Sequence, residues 1–140
     1  ISPFTEIVPV DKRIQNHEEA GDLFRSMKCD VITDCLDNFP GRFTLEKAVP
    51  TGVPLVHGGV EQDFGQITTV VCGRTPSLRE LYFDTASSTA GVSVTPPVVA
   101  AIGSIMAQEV LNVLWGTPSL EGKLLIVEFA DFSFFHVALQ

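Results

Sequence analysis

Residues 30–38 of this chain read Asp30-Val31-Ile32-Thr33-Asp34-Cys35-Leu36-Asp37-Asn38. Their apolar and β-branched residues predict a buried strand, and the stretch ends in two acids and an amide. In open α/β sheets, ligands bind beyond the carboxyl ends of the parallel strands. The stretch therefore predicts an α/β domain in which Asp37 and Asn38 could hold a cation and a phosphate.

A strand and a helix are predicted before this stretch. Residues 5–10 alternate well enough for a strand, and Asn16 followed by Glu19 predicts a helix that begins with a capping box and runs to about Lys28. A strand, a helix and a second strand in this order predict a right-handed parallel crossover. The alternation is typical of a doubly wound α/β domain.

The rest of the chain adds further helices and strands. We expect a helix from about Pro40, a short strand at 55–57, an antiparallel strand at 66–72, a long connection at 74–93, a helix from Pro96 to Gly116, and a terminal hairpin at 123–140. The predicted fold class is α/β, with a partial Rossmann-like doubly wound sheet and antiparallel C-terminal strands. The 140 residues are expected to form a single domain.

The composition limits the partners. Seventeen acids against nine Lys and Arg give a net charge of -8, which disfavours binding to nucleic acid because such binding neutralises phosphates. The hydrophobic fraction is 45%, but no run reaches the ~18 consecutive apolar residues of a membrane span. We expect no nucleic acid and no membrane as partner, and a surface that something else covers.

Cysteine usage indicates a reducing compartment. Cys29, Cys35 and Cys72 form no Cys-x-x-Cys pair, so neither a disulfide framework nor a zinc knuckle is predicted. No targeting tract is visible, and we expect a cytoplasmic protein. The chain opens on Ile1 rather than Met, which indicates a trimmed chain or a piece of a longer one.

Asp37 and Asn38 have two interpretations. The Asp37 carboxylate can hold Mg²⁺ while nucleotide phosphates supply other ligands, and the Asn38 amide can donate to phosphate or ribose. Alternatively, one of the two caps the helix that begins near Pro40, since Asp and Asn are preferred N-caps. The local sequence alone favours the cap.

Other polar residues give weaker signals. Asp34 is expected to bond to neighbouring backbone, and Arg42 either faces a phosphate or is solvated. His57, at a predicted strand end, is a conceivable general base, although structural roles are commoner. His17 and His136 have no partner pattern and are expected to be structural or surface groups.

The usual phosphate-binding loops are absent from the sequence. It contains neither Gly-x-Gly-x-x-Gly nor Gly-x-x-x-x-Gly-Lys, which weakens every nucleotide hypothesis. Ser87 and Ser88 have no adjacent His to activate them, so they are read as ordinary loop residues.

An ordered series of short segments resembles the ThiF/MoeB/HesA family, whose members are relatives of the ubiquitin-activating enzymes. The resemblance runs from about Pro3 to Leu139, and its segments are Asp34-Cys35-Leu36-Asp37-Asn38, Arg42, Val53-Pro54-Leu55-Val56, Gly65-Gln66-Ile67-Thr68, Ala90-Gly91-Val92 before the 97–116 helix, and Gly122-Lys123-Leu124-Leu125.

The resemblance implies an ATP- and Mg²⁺-dependent adenylyltransferase that activates the C-terminal carboxylate of a ubiquitin-like sulfur-carrier protein. In the family, the pair matching Asp37 and Asn38 contacts nucleotide and metal, which raises the ligand interpretation above the cap. The family's glycine-rich loop and its phosphate-binding arginines and lysine would lie upstream of Ile1. We therefore expect the C-terminal portion of an adenylating domain, inactive by itself.

Two family features are expected to be missing. Ser87 stands where many relatives place a cysteine that receives the activated carrier, and a serine forms neither a thioester nor an acyl disulfide. The first Cys-x-x-Cys pair of the family's zinc site would fall near Ser77 and Glu80. Only three cysteines exist, so we expect no zinc site.

Three functions stay open. The preferred one is the adenylyltransferase half, with sulfur transfer of the thiamine or molybdopterin type as its setting. The second is a non-catalytic dimerisation or docking module, or a degenerate family member, because relatives are commonly homodimers. An NAD-dependent oxidoreductase suits the fold class but lacks the glycine fingerprint.

Overall fold

The computed structural model of the chain describes residues 3–82 and 93–140. Helices and strands follow one another as α1 His17–Met27, β1 Ile32–Asp34, α2 Phe39–Ala48, β2 Leu55–Glu61, β3 Phe64–Val70, α3 Leu78–Leu81, α4 Pro96–Leu114, β4 Lys123–Glu128 and β5 Ser133–Ala138. The strands form one sheet in the order β1-β2-β3-β4-β5.

The sheet is mixed. β1 runs parallel to β2, with Asp34 beside His57, whereas the pairs β2–β3, β3–β4 and β4–β5 are antiparallel. The parallel connection passes through α2. The predicted strand at residues 5–10 is wrong, because this segment is exposed and pairs with none of the described strands. Alternation alone does not make a strand where no backbone is available to pair with.

Helices cover both faces of the sheet. One apolar cluster lies between α4 and the sheet, and a second lies between the other face and α1, α2 and α3. The sets of buried residues include Val56, Ile67, Ile102 and Val127 in the first cluster, and Ile32, Phe43, Leu55 and Leu78 in the second. This arrangement and the antiparallel C-terminal strands confirm the predicted fold class.

The long connection predicted at 74–93 contains a helix of its own. α3 begins after Ser77, whose hydroxyl accepts from the Glu80 N–H at 3.2 Å while the Glu80 carboxylate accepts from the Ser77 N–H at 2.7 Å. This reciprocal capping box stabilises a helix of only four residues. The remainder of the connection, with Ser87 and Ser88, lies outside the described residues.

Among the described residues, α4 is the one helix whose length and composition would also suit a membrane span, with a hydropathy of 1.5. Core helices meet the same test. Here Val98, Ile102 and Met106 are buried against the sheet, and the helix begins after Thr95 and ends before Gly116 as predicted.

Close packing of α4 on the sheet depends on Gly65 in β3. A Cβ atom at this position would overlap the Ile102 side chain. We expect Gly65→Ala to lower the free energy of unfolding by about 1–3 kcal/mol, because overpacking forces a well-packed core apart. Denaturation in urea measures this change.

Gly103 provides the matched control on the outer side of the same helix. Within the described part of the chain, nothing lies within 4 Å of a Cβ built there. Gly103→Ala should therefore raise the free energy of unfolding by about 0.5–1 kcal/mol, the usual helix preference for Ala over Gly. Equal destabilisation by both substitutions would contradict the role assigned to Gly65.

Candidate functional site

The turn between β1 and α2 carries Asp37 and Asn38. The Asn38 Oδ1 accepts the Gly41 N–H at 2.8 Å, so Asn38 caps α2, and Pro40 stands in the first turn. The Asn38 Nδ2 donates to the Asp37 Oδ1 at 3.0 Å. The cap interpretation is therefore confirmed for Asn38. An amide has two N–H donors, and among the described residues only Asp37 accepts from it.

The Asp37 carboxylate is exposed and charged. The hydrogen bond from Asn38, followed by one from its own backbone N–H, holds the pKa of Asp37 below its usual range, and Arg42 adds a smaller contribution. A charged oxygen ligand of this kind suits Mg²⁺, which usually takes one or two carboxylates and completes its shell with phosphate and water.

The donor set near Asp37 fits that mode of binding. Within residues 3–82 and 93–140, no three His, Cys, Asp or Glu side chains cluster closely enough to hold a metal ion. An all-protein cage is thus not built in this part of the chain. Asp37 would hold Mg²⁺ through a single carboxylate, with the remaining oxygens coming from a nucleotide and water.

Asp34, the last residue of β1, is completely buried beneath this turn. Its Oδ1 accepts the Leu36 N–H at 2.9 Å, and its Oδ2 lies 2.7 Å from the His57 Nδ1. The predicted bond from Asp34 to neighbouring backbone is confirmed. The bond to His57 is additional, and it follows from the parallel register that places the two residues side by side.

His57 is buried in the middle of β2, so its predicted place at a strand end is wrong. β2 continues to Glu61, and the His57 Nε2 lies 3.0 Å from the Tyr82 hydroxyl. Burial lowers the pKa of His57, although Asp34 acts in the opposite direction. A neutral ring donates from Nδ1 to Asp34 and accepts from Tyr82. Burial also raises the pKa of Tyr82, which keeps its proton.

Arg42 is not solvated, which corrects that expectation for it. Its side chain is 13% exposed. Nε and Nη2 donate to the Leu36 carbonyl at 3.0 and 2.7 Å, and Nε lies 3.8 Å from the Asp34 Oδ2. Arg42 therefore neutralises Asp34 and holds the turn in front of Asp37.

A protein-family model describes the chain over its full length. The model of the ThiF family matches residues 1–140. The chain belongs to the ThiF family. The resemblance of the ordered segments is thereby confirmed, and Asp37 and Asn38 lie within the matched domain.

Curated relatives of this ThiF-family chain activate or adenylate other molecules, according to their names. The SAMP-activating enzyme E1 of Haloferax volcanii is 30% identical over 96% of the chain and 51% of that protein. The adenylyltransferase and sulfurtransferase MOCS3 of Bos taurus is 34% identical over 76% of the chain and 25% of that protein. The chain thus spans about half or less of the length of these relatives.

Solved structures share the fold. The crystal structure of E. coli MccB with ATP covers 93% of the chain and 41% of its own length at 13% identity, with a TM-score of 0.67. PaaA covers 89% of the chain and 39% of its own length at 14% identity, with a TM-score of 0.64. At such identity the likeness supports the ThiF-type fold alone.

Sequence reasoning missed the hydrogen-bonded chain from Asp34 through His57 to Tyr82. One signal was available: Asp34 and His57 are polar residues in two otherwise apolar segments that were both predicted to be strands of a doubly wound domain. Tyr82 gave no such signal, because it lies in a connection without a clear period. Ser77 and Glu80, near which the resemblance places the family's first zinc pair, form the capping box of α3.

Proposed function

We propose that the chain is the C-terminal portion of an ATP-dependent adenylating domain. Its substrate is the C-terminal carboxylate of a ubiquitin-like sulfur-carrier protein. A carboxylate oxygen attacks the α-phosphorus of ATP, an acyl adenylate forms, and pyrophosphate leaves. The chain supplies one wall of this site, and we propose that the remaining wall, with a phosphate-binding loop, belongs to the rest of the protein.

The observation that carries the proposal is the charged, exposed Asp37 at the carboxyl end of β1, within a ThiF-family domain. The names of two relatives support the same reaction class. Asp37 would hold Mg²⁺, which neutralises phosphate charge when it is bound. Asn38 would place its second amide N–H toward the nucleotide while its oxygen caps α2.

The same proposal specifies the cofactors and the cellular location. ATP and Mg²⁺ are the cofactors, and no zinc is needed. Cys29, Cys35 and Cys72 are all free, which agrees with a reducing, cytoplasmic location. Ser87 would leave the domain without the cysteine that receives the carrier, so we propose that transfer of sulfur from this position does not occur.

ATP–pyrophosphate exchange by the full-length protein tests the proposal. We expect Asp37→Ala to lower the exchange rate by roughly 100-fold, the usual loss when one transition-state electrostatic contact is removed. Asp37→Asn should lose nearly as much, because its oxygen still accepts from Asn38 but carries no charge. The comparison separates the charge of Asp37 from its contact with Asn38.

Asp131 offers a matched control. It is another exposed aspartate whose pKa is held low by hydrogen bonds, here from Ser133, and it lies in the turn before β5. Asp131→Ala should leave the exchange rate unchanged. If Asp37→Ala behaves like Asp131→Ala, the assignment of Asp37 is wrong.

A second candidate function is association. β5 exposes apolar side chains on both of its faces, including Phe134 at 57% and Phe135 at 51%. At the opposite edge, Thr33 and Val110 line a shallow depression of about 260 Å³ between β1 and α4. We propose that these edges pair with the rest of the protein or with a second copy. Sedimentation of this chain alone as a clean monomer would count against pairing with a second copy.

A further inference from the structure

We propose that Asp34 and His57 are positioning residues for the turn that presents Asp37 and Asn38. They would act on the binding of ATP and Mg²⁺ through Asp37 without touching either ligand. The activity readout of this inference rests on the proposed function, whereas its structural readout does not.

The turn is held at both backbone groups of Leu36, the residue immediately before Asp37. The Leu36 N–H donates to the Asp34 Oδ1 at 2.9 Å, and the Leu36 carbonyl accepts two N–H groups of Arg42 at 3.0 and 2.7 Å. On the far side of Asp37, Asn38 is fixed as the cap of α2. Asp37 thus lies between two anchored residues.

His57 sets the orientation of the Asp34 carboxylate. Because the Asp34 Oδ1 is directed at Leu36, its Oδ2 needs a separate donor, and the His57 Nδ1 supplies it at 2.7 Å. Asp34 and His57 are both completely buried. Water is therefore not available to replace this donor, and loss of the imidazole would release the carboxylate that holds Leu36.

Tyr82 fixes the imidazole at its other nitrogen. Its ring lies edge-on to His57, with the ring centroids 5.4 Å apart, and its hydroxyl is 3.0 Å from the His57 Nε2. A continuous row of hydrogen bonds therefore joins Tyr82 to the turn bearing Asp37.

A contribution to stability alone does not explain why polar groups are buried here. Apolar residues of similar volume often stabilise a core as well as a buried ionic group does. The groups that orient a metal ligand, in contrast, typically change metal affinity or activity by 10–100-fold when they are removed. Each oxygen of Asp34 has a partner of its own, Leu36 or His57, as expected of a group that orients a metal ligand.

The test uses three variants of the full-length protein. His57→Leu removes the donor to Asp34, His57→Asn restores an N–H near the position of Nδ1, and Thr68→Val is the control. Thr68 stands opposite His57 in β3, is buried, and has a hydroxyl without a partner among the described residues. Its replacement by Val changes the same layer of the core without removing a hydrogen bond of the row.

Two measurements follow. In ATP–pyrophosphate exchange, His57→Leu should raise the Mg²⁺ concentration for half-maximal rate about 10-fold, with His57→Asn near the parent and Thr68→Val equal to it. By amide hydrogen exchange, the Leu36 N–H should exchange about 10-fold faster in His57→Leu relative to the amides of β3, because the acceptor of its hydrogen bond has become mobile.

The double variant decides whether the effect passes through Asp37. In Asp37→Ala, the further change His57→Leu should add no loss, since coupled residues are not additive. An equal fold-loss in both backgrounds, or an unchanged Leu36 exchange rate in His57→Leu, overturns the inference. If the parent shows no ATP–pyrophosphate exchange, the proposed function fails, and the Leu36 exchange rate still decides whether His57 positions the turn.

Discussion

Replacement of Glu109 by Leu should lower the free energy of unfolding by about 4 kcal/mol, because buried hydrogen-bond donors are then left without an acceptor. Glu109 is the one charged residue in α4, and it is 2% exposed. Its Oε1 accepts the Thr69 hydroxyl at 2.9 Å and the Leu120 N–H at 2.8 Å, both in the interior.

The second oxygen of Glu109 binds nearer the surface. Its Oε2 accepts the Asn112 side-chain amide at 3.0 Å and the Ser119 N–H at 3.2 Å. Water is able to replace these two hydrogen bonds, but not the two that Oε1 accepts in the interior. The loss in Glu109→Leu therefore comes mainly from Thr69 and Leu120, at about 1–3 kcal/mol for each unsatisfied buried group.

Glu109→Gln is the matched control, measured by urea denaturation beside Glu109→Leu. Its amide oxygen can occupy the inner position and keep both interior bonds, while its NH₂ group faces the outer donors. We expect Glu109→Gln to lower the free energy of unfolding by less than half as much as Glu109→Leu does. Equal costs for the two substitutions would show that the hydrogen bonds from Thr69 and Leu120 do not carry the effect. An unchanged free energy of unfolding in both variants would show that Glu109 does not stabilise the fold.

The sequence predicts those parts of the fold that local chemistry determines. Asn38 is recognisable as a cap because its side chain competes for the free N–H groups of a helix that Pro40 begins. The alternation at residues 5–10 misleads because strand formation needs a partner, and no local pattern supplies one. α3 was missed because four residues are too few to show a period, although its Ser77 and Glu80 have capping-box spacing.

The candidate site, too, can be predicted from the sequence only in part. Asp37 stands in a turn after a strand, and its exposure follows from its place in the sequence. The partners of Asp34 and His57 are set by the parallel register of β1 and β2 and by the path of the chain to Tyr82, 25 residues beyond His57. Such distant contacts depend on tertiary packing, which a local pattern does not encode.

His57→Leu should lower the free energy of unfolding by about 3–5 kcal/mol at pH 7, because removal of one partner leaves the buried Asp34 carboxylate without its closest donor. Arg42, 3.8 Å away, compensates only part of this loss. His57→Asn should cost clearly less, since its amide still donates to Asp34. Urea denaturation of the three proteins measures the difference, and similar costs for Leu and Asn would contradict the assigned bond.

The same histidine should make stability depend on pH. The unfolded chain takes up a proton at His57 near pH 6.5, whereas burial lowers the pKa of the folded residue despite the nearby Asp34. Between these two values the unfolded chain binds more protons, so acidification favours unfolding by up to about 1.4 kcal/mol per pH unit. The charged and titratable groups facing His57 are Asp34, Arg42 and Tyr82.

His57→Asn isolates this effect because it keeps the donor to Asp34 but does not titrate. Between pH 7 and pH 5 the free energy of unfolding of the parent should fall more steeply than that of His57→Asn, and the two values should converge. Glu46 acts with the opposite sign, since burial raises its pKa and the folded state gains its proton first. Glu46 is present in both proteins, so it cancels in their difference. Parallel pH profiles would mean that folded His57 titrates like the unfolded chain, and the neutral imidazole between Asp34 and Tyr82 would then be wrong.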